Sequence, residues 1–143
     1  MTRAVLDDHL LRDVLAGDVP DALSSILVDH EPATTNLYLY RLCRSVSSSS
    51  GGALTGAWGP AERRGLGARL VSLPDAIAVV PMQTLAFRMA ELADEHRLST
   101  LGAEAVATAE HLDASLCVWS GDDGPAIRGA MRALRRDYVT IIR

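Results

Sequence analysis

The sequence predicts a single α/β domain over residues 1–143, with a central, mostly parallel four-stranded sheet and helices on both faces. Short apolar segments alternate with helical segments, a pattern typical of parallel sheets joined by right-handed crossovers. The 143 residues, 48% of them hydrophobic, can form one core but are too few for two ordinary domains. Acidic residues follow the first and third apolar segments, where parallel sheets bind ligands.

The four predicted strands are short segments rich in apolar and β-branched residues and bounded by turn residues. Because such strands are apolar along their whole length, we expect both faces of the sheet to be buried. The strands are Arg3–Asp7, Ala76–Val80, Ser115–Trp119 and Tyr138–Ile142.

Seven helices are predicted between these strands from apolar residues at helical spacing and from capping residues. Gly17 is a typical helix stop, Thr35 is a typical N-cap, and Ser99 or Thr100 can cap the alanine-rich helix that follows. A serine- and glycine-rich loop covers Ser47–Pro60. The helices are Leu10–Leu15, Asp21–Asp29, Asn36–Val46, Ala61–Leu70, Pro81–Ala93, Leu101–Leu112 and Pro125–Arg136.

The composition excludes several classes of mechanism. All 14 basic residues are arginine, so there is no lysine to act as a nucleophile, Schiff base or phosphate-loop cation. The net charge of -4 argues against a protein that coats nucleic acid through bulk charge, although it permits a local basic groove.

Cellular placement is predicted from what the sequence lacks. No apolar segment is long enough to span a membrane, and the first residues carry acids where a signal peptide is apolar, so we expect a cytoplasmic protein. Cys43 and Cys117 have no cysteine or histidine at zinc-ligand spacing. We therefore expect two buried thiols.

Three acids are candidates for a metal site. Asp7 ends the first strand, Asp122 follows the third, and Glu104 falls in the first turn of the helix before that strand. Carboxylates that meet in a crevice are stable only when a cation or a proton joins them. The alternative is that these acids cap helices and complement the helix dipole, as also expected for Asp8 and Asp123.

These residues resemble the PIN domain, a nuclease-fold family that includes the VapC toxins of toxin-antitoxin modules. The matching segments are AVLD with Asp7, GAEAVATA with Glu104, and SGD with Ser120 and Asp122. The resemblance implies that Asp7, Glu104 and Asp122 bind Mg²⁺ or Mn²⁺ at a catalytic site that Ser120 helps to close. It further implies RNA phosphodiester hydrolysis by a metal-activated water, a homodimer, and an antitoxin-like protein partner.

The chain departs from the family pattern in the helix after Thr35. PIN nucleases carry another acid there, whereas TTNLYLYRLCRSV offers Tyr40 and Arg41. This favours an alternative, a catalytically degenerate PIN-like module that binds RNA or a protein without cleaving. In either case we expect Arg41 and Arg44 to contact RNA phosphate, unless they form a solvated helix face.

Two further interpretations concern the start of the chain. The segment AVLDDHLLRDVL also resembles a response-regulator receiver, but that fold requires a lysine that this sequence lacks. His9 lies beside the candidate site and could act as a base, although a surface position is the expectation we prefer.

Overall fold

The computed structural model describes residues 2–143, which contain one five-stranded parallel sheet. Its strands are β1 (Thr2–Leu6), β2 (His30–Thr34), β3 (Ala78–Val79), β4 (Ser115–Trp119) and β5 (Tyr138–Ile141). The strand order is β3-β2-β1-β4-β5, and every pairing is parallel. β1 is therefore the central strand, and the chain leaves it first towards β2 and later returns to its other side as β4.

Eight α-helices connect and cover these strands within residues 2–143. None of them is long and apolar enough to cross a bilayer. The helices are α1 (Asp8–Ala16), α2 (Asp21–Asp29), α3 (Asn36–Ser47), α4 (Gly52–Thr55), α5 (Pro60–Val71), α6 (Met82–His96), α7 (Thr100–Leu112) and α8 (Pro125–Ala133).

Both faces of the sheet are buried, because successive side chains of a strand point to opposite faces. In β1, Val5 packs in a cluster with residues of α6 and α7, including Val106. Ala4 and Leu6 pack on the other face in a cluster that includes Leu10 of α1. The three strand residues have no exposed surface. The prediction of helices on both faces of a parallel sheet is confirmed.

The predicted number of four strands is wrong, because β2 was not recognised in the sequence. Its segment contains Pro32, which has no backbone N–H and looks like a break between two helices. In the structure Pro32 lies opposite Ala4 of β1, whereas β3 pairs only with Ala33 and Thr34. At Pro32 the strand thus has a sheet neighbour on one side only, where a proline is tolerated.

Two smaller expectations have different outcomes. The loop predicted over Ser47–Pro60 contains the short helix α4. Cys117 is buried and Cys43 is half-buried, and both are free thiols. The expectation of unpaired cysteines in apolar surroundings is therefore confirmed, with Cys43 less buried than expected.

Two glycines should respond to alanine in opposite directions. Gly17 ends α1 with φ +74°, a left-handed conformation that a side chain destabilises. Gly65 lies inside α5, and an added methyl group there meets nothing within 4 Å. We expect Gly17→Ala to lower the free energy of unfolding by about 1 kcal/mol and Gly65→Ala to raise it by about 0.5–1 kcal/mol. Urea denaturation measures both, and a loss of stability in Gly65→Ala would contradict the assignment.

Candidate metal centre

The carboxyl ends of β1 and β4 lie side by side and bring four ionisable residues together. Asp7, Asp8 and His9 directly follow β1, and Asp122 lies in the 3-10 turn Ser120–Asp122 that follows β4. One ligand atom from each of the four residues lies within 4.8 Å of the other three, an arrangement that could hold a metal ion. We call these four residues the acidic cluster.

Asp7 is the most constrained member of the acidic cluster. It is the N-cap of α1, where its Oδ1 accepts a hydrogen bond from the Leu10 N–H at 2.9 Å. Its Oδ2 accepts from the Trp119 N–H at 2.9 Å. Burial raises the pKa of Asp7 from 3.8 to about 7, although the two hydrogen bonds act in the opposite direction. The cluster thus contains a carboxyl group that titrates near neutral pH.

Asp8 is also buried, with 1% of its surface exposed. The Nε atom of Arg41 lies 3.3 Å from Asp8 Oδ2, which makes an ion pair. That oxygen nevertheless has no well-directed hydrogen bond from the described residues. Asp8 therefore holds a charge-paired oxygen that can accept a further ligand.

His9 lies at the centre of the acidic cluster. Its Nδ1 is 2.8 Å from Asp122 Oδ2 and 3.3 Å from Asp8 Oδ1. The directions are poor, and Nδ1 counts among the buried atoms without a geometrically good hydrogen-bond partner in residues 2–143. The ring packs against Trp119, with centroids 4.4 Å apart. The short distances allow charge attraction between the imidazole and the carboxylates of Asp8 and Asp122. The poor directions leave Nδ1 without a satisfied hydrogen bond.

The protonation of His9 depends on its acidic neighbours. Burial lowers the pKa of His9, but the interactions with Asp8, Asp122 and Asp7 raise it by more, so that the pKa lies above 6.5. A protonated imidazole supplies positive charge among three carboxyl groups. With 7% of its surface exposed, His9 is not the surface histidine that the sequence suggested.

Glu104 of α7 lies apart from these residues and contacts the first turn of α3. It is fully buried, and its Oε1 accepts from the Leu37 N–H at 2.8 Å. Its Oε2 accepts from the backbone and side-chain N–H groups of Asn36, at 3.0 and 2.7 Å. The structure thus unites Asp7 and Asp122 as expected but leaves Glu104 outside the acidic cluster. A role of Glu104 as metal ligand stays a prediction.

The turn after β4 presents Asp122 and Ser120 to solvent. The Asp122 side chain is 43% exposed, which makes it the most accessible member of the acidic cluster. Ser120 is exposed as well, and its hydroxyl makes no hydrogen bond within residues 2–143. The expected catalytic contribution of Ser120 therefore stays a prediction.

Asp123 holds this turn in place. Its carboxylate accepts from the Tyr138 hydroxyl and from Arg128 Nη2, each at 2.9 Å. The N-cap of α8 is Gly124, so the prediction that Asp123 caps this helix is wrong. Asp123 instead connects the turn that carries Asp122 to β5 and α8.

Tyr40 and Arg41 differ in their position relative to the acidic cluster, and only Arg41 pairs with one of its members. Tyr40 is 56% exposed. Arg41 pairs with Asp8, and it lines a cavity together with Arg44. Contact of Arg41 and Arg44 with RNA phosphate stays a prediction.

Asp8 and His9 are the cluster members that sequence reasoning undervalued. The run Asp7-Asp8-His9 at the end of a strand was a signal, but helix capping explains such acids equally well. What distinguishes the two interpretations is burial. His9 packs against Trp119 and Asp8 pairs with Arg41, and both partners are distant in sequence.

Comparisons with known proteins support the fold and no more. No model of a known protein family matches the chain, and no curated protein has a similar sequence. The chain is similar to the crystal structure of PAE2754 from Pyrobaculum aerophilum, with a TM-score of 0.59 and 16% sequence identity. The similarity covers 96% of this chain and 91% of that one. The two proteins share an α/β fold over nearly their whole lengths.

The raised pKa of Asp7 predicts that the wild-type protein loses stability relative to Asp7→Asn as pH rises. Between pH 3.8 and about 7 the folded protein keeps a proton that the unfolded chain releases, so the contribution of Asp7 falls over that range. The expected change is on the order of a few kcal/mol. Urea denaturation at pH 4.5, 6 and 7.5 measures it, and a difference that is constant with pH would contradict it.

The hydrogen bonds of Glu104 predict that Glu104→Gln destabilises the protein by about 1–3 kcal/mol. Three N–H groups converge on its two oxygens, and a glutamine would turn its own NH₂ towards one of them. The matched control is Glu110→Gln on the same helix, which removes only a partly exposed ion pair with Arg88 and should cost less than about 1 kcal/mol. Thermal and chemical unfolding compare the two variants, and equal losses would contradict the proposed structural role.

Proposed function

We propose that this protein is a PIN-like, metal-dependent ribonuclease that hydrolyses RNA phosphodiester bonds with Mg²⁺ or Mn²⁺ at the acidic cluster. The observation that carries the proposal is the convergence of Asp7, Asp8, His9 and Asp122 at the carboxyl ends of two adjacent parallel strands. Ligands of open α/β sheets bind at this edge. The fold shared with the Pyrobaculum protein is compatible with the proposal but says nothing of activity.

The residues present fit a divalent cation. Mg²⁺ prefers carboxylate oxygen and water, and Mn²⁺ also accepts imidazole nitrogen. Asp8 Oδ2 and His9 Nδ1 are buried and lack well-directed hydrogen bonds in the described chain. Asp8 Oδ2 can therefore accept a ligand directly, and His9 Nδ1 can do so once its proton has left. Asp7 and Asp122 supply further oxygens. A bound cation would polarise a phosphodiester and activate water.

The remaining parts of the proposal follow from the resemblance to PIN nucleases. Ser120 and Glu104 are included as catalytic residues, and Glu104 as a metal ligand, because they match the family segments. Ser120 adjoins Asp122 in the same turn, whereas Glu104 needs a rearrangement at the start of α3 before it can bind metal. A cytoplasmic homodimer restrained by an antitoxin-like protein completes the proposal.

A second candidate function is a degenerate PIN-like module that binds RNA or a protein without cleaving. The ion pair between Arg41 and Asp8 favours it. Hydrolysis with two metal ions requires enough negative charge to hold both, and a guanidinium group beside Asp8 reduces that charge. A single-ion site is less affected, so slow cleavage is the expected behaviour of the wild-type protein.

Metal binding is the first test. We expect Mn²⁺ to raise the melting temperature of the wild-type protein, because a ligand at about 100 times its Kd stabilises the fold by about 2.7 kcal/mol. Asp122→Asn should abolish the rise, because it removes one of the carboxylates that would hold the ion. The residue is accessible, so the change should have little effect on packing. The matched control is Asp94→Asn, which removes an exposed acid of α6. An equal rise in all three proteins would show that the metal does not bind at the acidic cluster.

Restoring the missing acid is the second test. We expect Arg41→Glu to increase Mn²⁺ affinity, and Mn²⁺-dependent cleavage of a single-stranded RNA at saturating concentration, by about tenfold or more, because it replaces a cation beside Asp8 with a carboxylate. Tyr40→Glu adds a negative charge at an exposed neighbouring position and should have a much smaller effect.

Both readouts are compared with the wild-type protein on the same RNA. If the wild-type protein cleaves rapidly and Arg41→Glu reduces cleavage while the fold survives, Arg41 does not impair the site. If neither the wild-type protein nor Arg41→Glu cleaves RNA at any Mn²⁺ concentration, the degenerate module is the correct function.

A further inference from the structure

A cavity of about 280 Å³ lies between α3 and α4, and one of its lining residues, Arg41, pairs with Asp8 of the acidic cluster. We call it the α3–α4 pocket. Its lining contains two arginines and two serines and no acidic residue. The lining residues are Arg41, Arg44, Ser45, Ser48, Gly52, Ala53 and Leu54.

The charge of the α3–α4 pocket suits an anion. Arg44 is exposed and forms no ion pair within residues 2–143. Arg41 is half-exposed, and its Nε lies 3.3 Å from Asp8 Oδ2. A third cation lies at the rim, because Arg63 of α5 donates to the Ser48 carbonyl oxygen at 3.0 Å. Guanidinium groups bind phosphate with paired, charge-assisted hydrogen bonds.

The wall of the α3–α4 pocket is fixed by hydrogen bonds. The Ser45 hydroxyl bonds to the Gly51 carbonyl oxygen and lies 2.8 Å from the Thr55 hydroxyl, which attaches α4 to α3. The buried Arg12 of α1 also supports α4, because its Nη1 donates to the Leu54 carbonyl oxygen at 2.6 Å. The pocket is therefore largely formed before a ligand arrives, which lowers the cost of binding.

We propose that the α3–α4 pocket binds a backbone phosphate of single-stranded RNA, adjacent to the phosphate that is hydrolysed. The choice of RNA rests on the proposed function, while the choice of a phosphate rests on the pocket itself. Arg44 is the principal contact, because it has no competing carboxylate in the described chain. Arg41 belongs to both sites, since it lines the pocket and pairs with Asp8.

The shared position of Arg41 couples the two sites. A phosphate in the α3–α4 pocket attracts the Arg41 guanidinium away from Asp8, and this leaves the Asp8 oxygen free for a cation. A cation at Asp8 repels Arg41 towards the pocket in turn. Because coupling between two binding sites is reciprocal, RNA should tighten Mn²⁺ binding by the same factor by which Mn²⁺ tightens RNA binding.

The test measures binding of a fluorescent six-nucleotide RNA by anisotropy in EDTA, where no cleavage occurs. We expect Arg44→Gln to weaken binding about fivefold. The double variant Arg41→Gln/Arg44→Gln should reduce the slope of log affinity against log salt by about 0.7, the value for one neutralised phosphate of a single strand. The matched control, Arg132→Gln, removes an arginine that lines a different cavity and should leave binding unchanged. Equal affinities for Arg44→Gln and Arg132→Gln would overturn the proposal.

Two further arms separate this proposal from the ribonuclease proposal and from binding of free phosphate. If Mn²⁺ causes no thermal shift but RNA affinity depends on Arg44, the pocket proposal stands and the metal-dependent function fails. If inorganic phosphate stabilises the protein through Arg44 while RNA affinity does not depend on it, the pocket proposal fails. Coupling is tested by titrating Mn²⁺ with and without a 2′-deoxy analogue of the RNA, and it should disappear in Arg41→Gln.

Discussion

The two hydrogen bonds of the Asp7 carboxylate connect the three elements from which the candidate site is built. Asp7 follows the central strand, caps the helix that begins after it, and accepts from the backbone of Trp119 at the end of the neighbouring strand. The relative position of Asp8, His9 and Asp122 depends on this connection. Asp8 and His9 directly follow Asp7, and Asp122 lies three residues after Trp119. Burial makes the connection costly, and that cost is why the pKa of Asp7 is near 7.

Positive charge from the protein itself balances the acids that Asp7 brings together. His9 lies between Asp8 and Asp122, and Arg41 pairs with Asp8 from the next helix. Three carboxyl groups at this distance would repel one another without such partners. A divalent cation would therefore replace protein charges that already stabilise the fold. Its affinity depends on how easily Arg41 and the His9 proton leave.

The sequence predicts the fold class well because it depends on a repeated local pattern. Alternating apolar strands and helices imply a parallel sheet, and the carboxyl ends of its strands locate Asp7 and Asp122. β2 was missed because Pro32 signals a break unless the one-sided pairing of the strand is known. The hydrogen bonds from Asn36 and Leu37 to Glu104 were missed because they depend on the position of α3 relative to α7, which no local pattern encodes. The sequence singled out Arg41 only through the resemblance to PIN nucleases, and its ion pair with Asp8 depends on how α3 packs against α1.

The hydrogen bond from Trp119 to Asp7 joins residues 112 positions apart, and this separation governs when the site can exist. A ribosome completes β1 early, but the acidic cluster cannot assemble until β4 has emerged and paired beside it. Closing so long a loop is also slow compared with forming the helices between them. A chain that ends before β4 thus contains most of the fold's helices but no assembled acidic cluster. For the ribonuclease that we propose, this order would keep the nascent chain inactive at least until β4 has emerged from the ribosome.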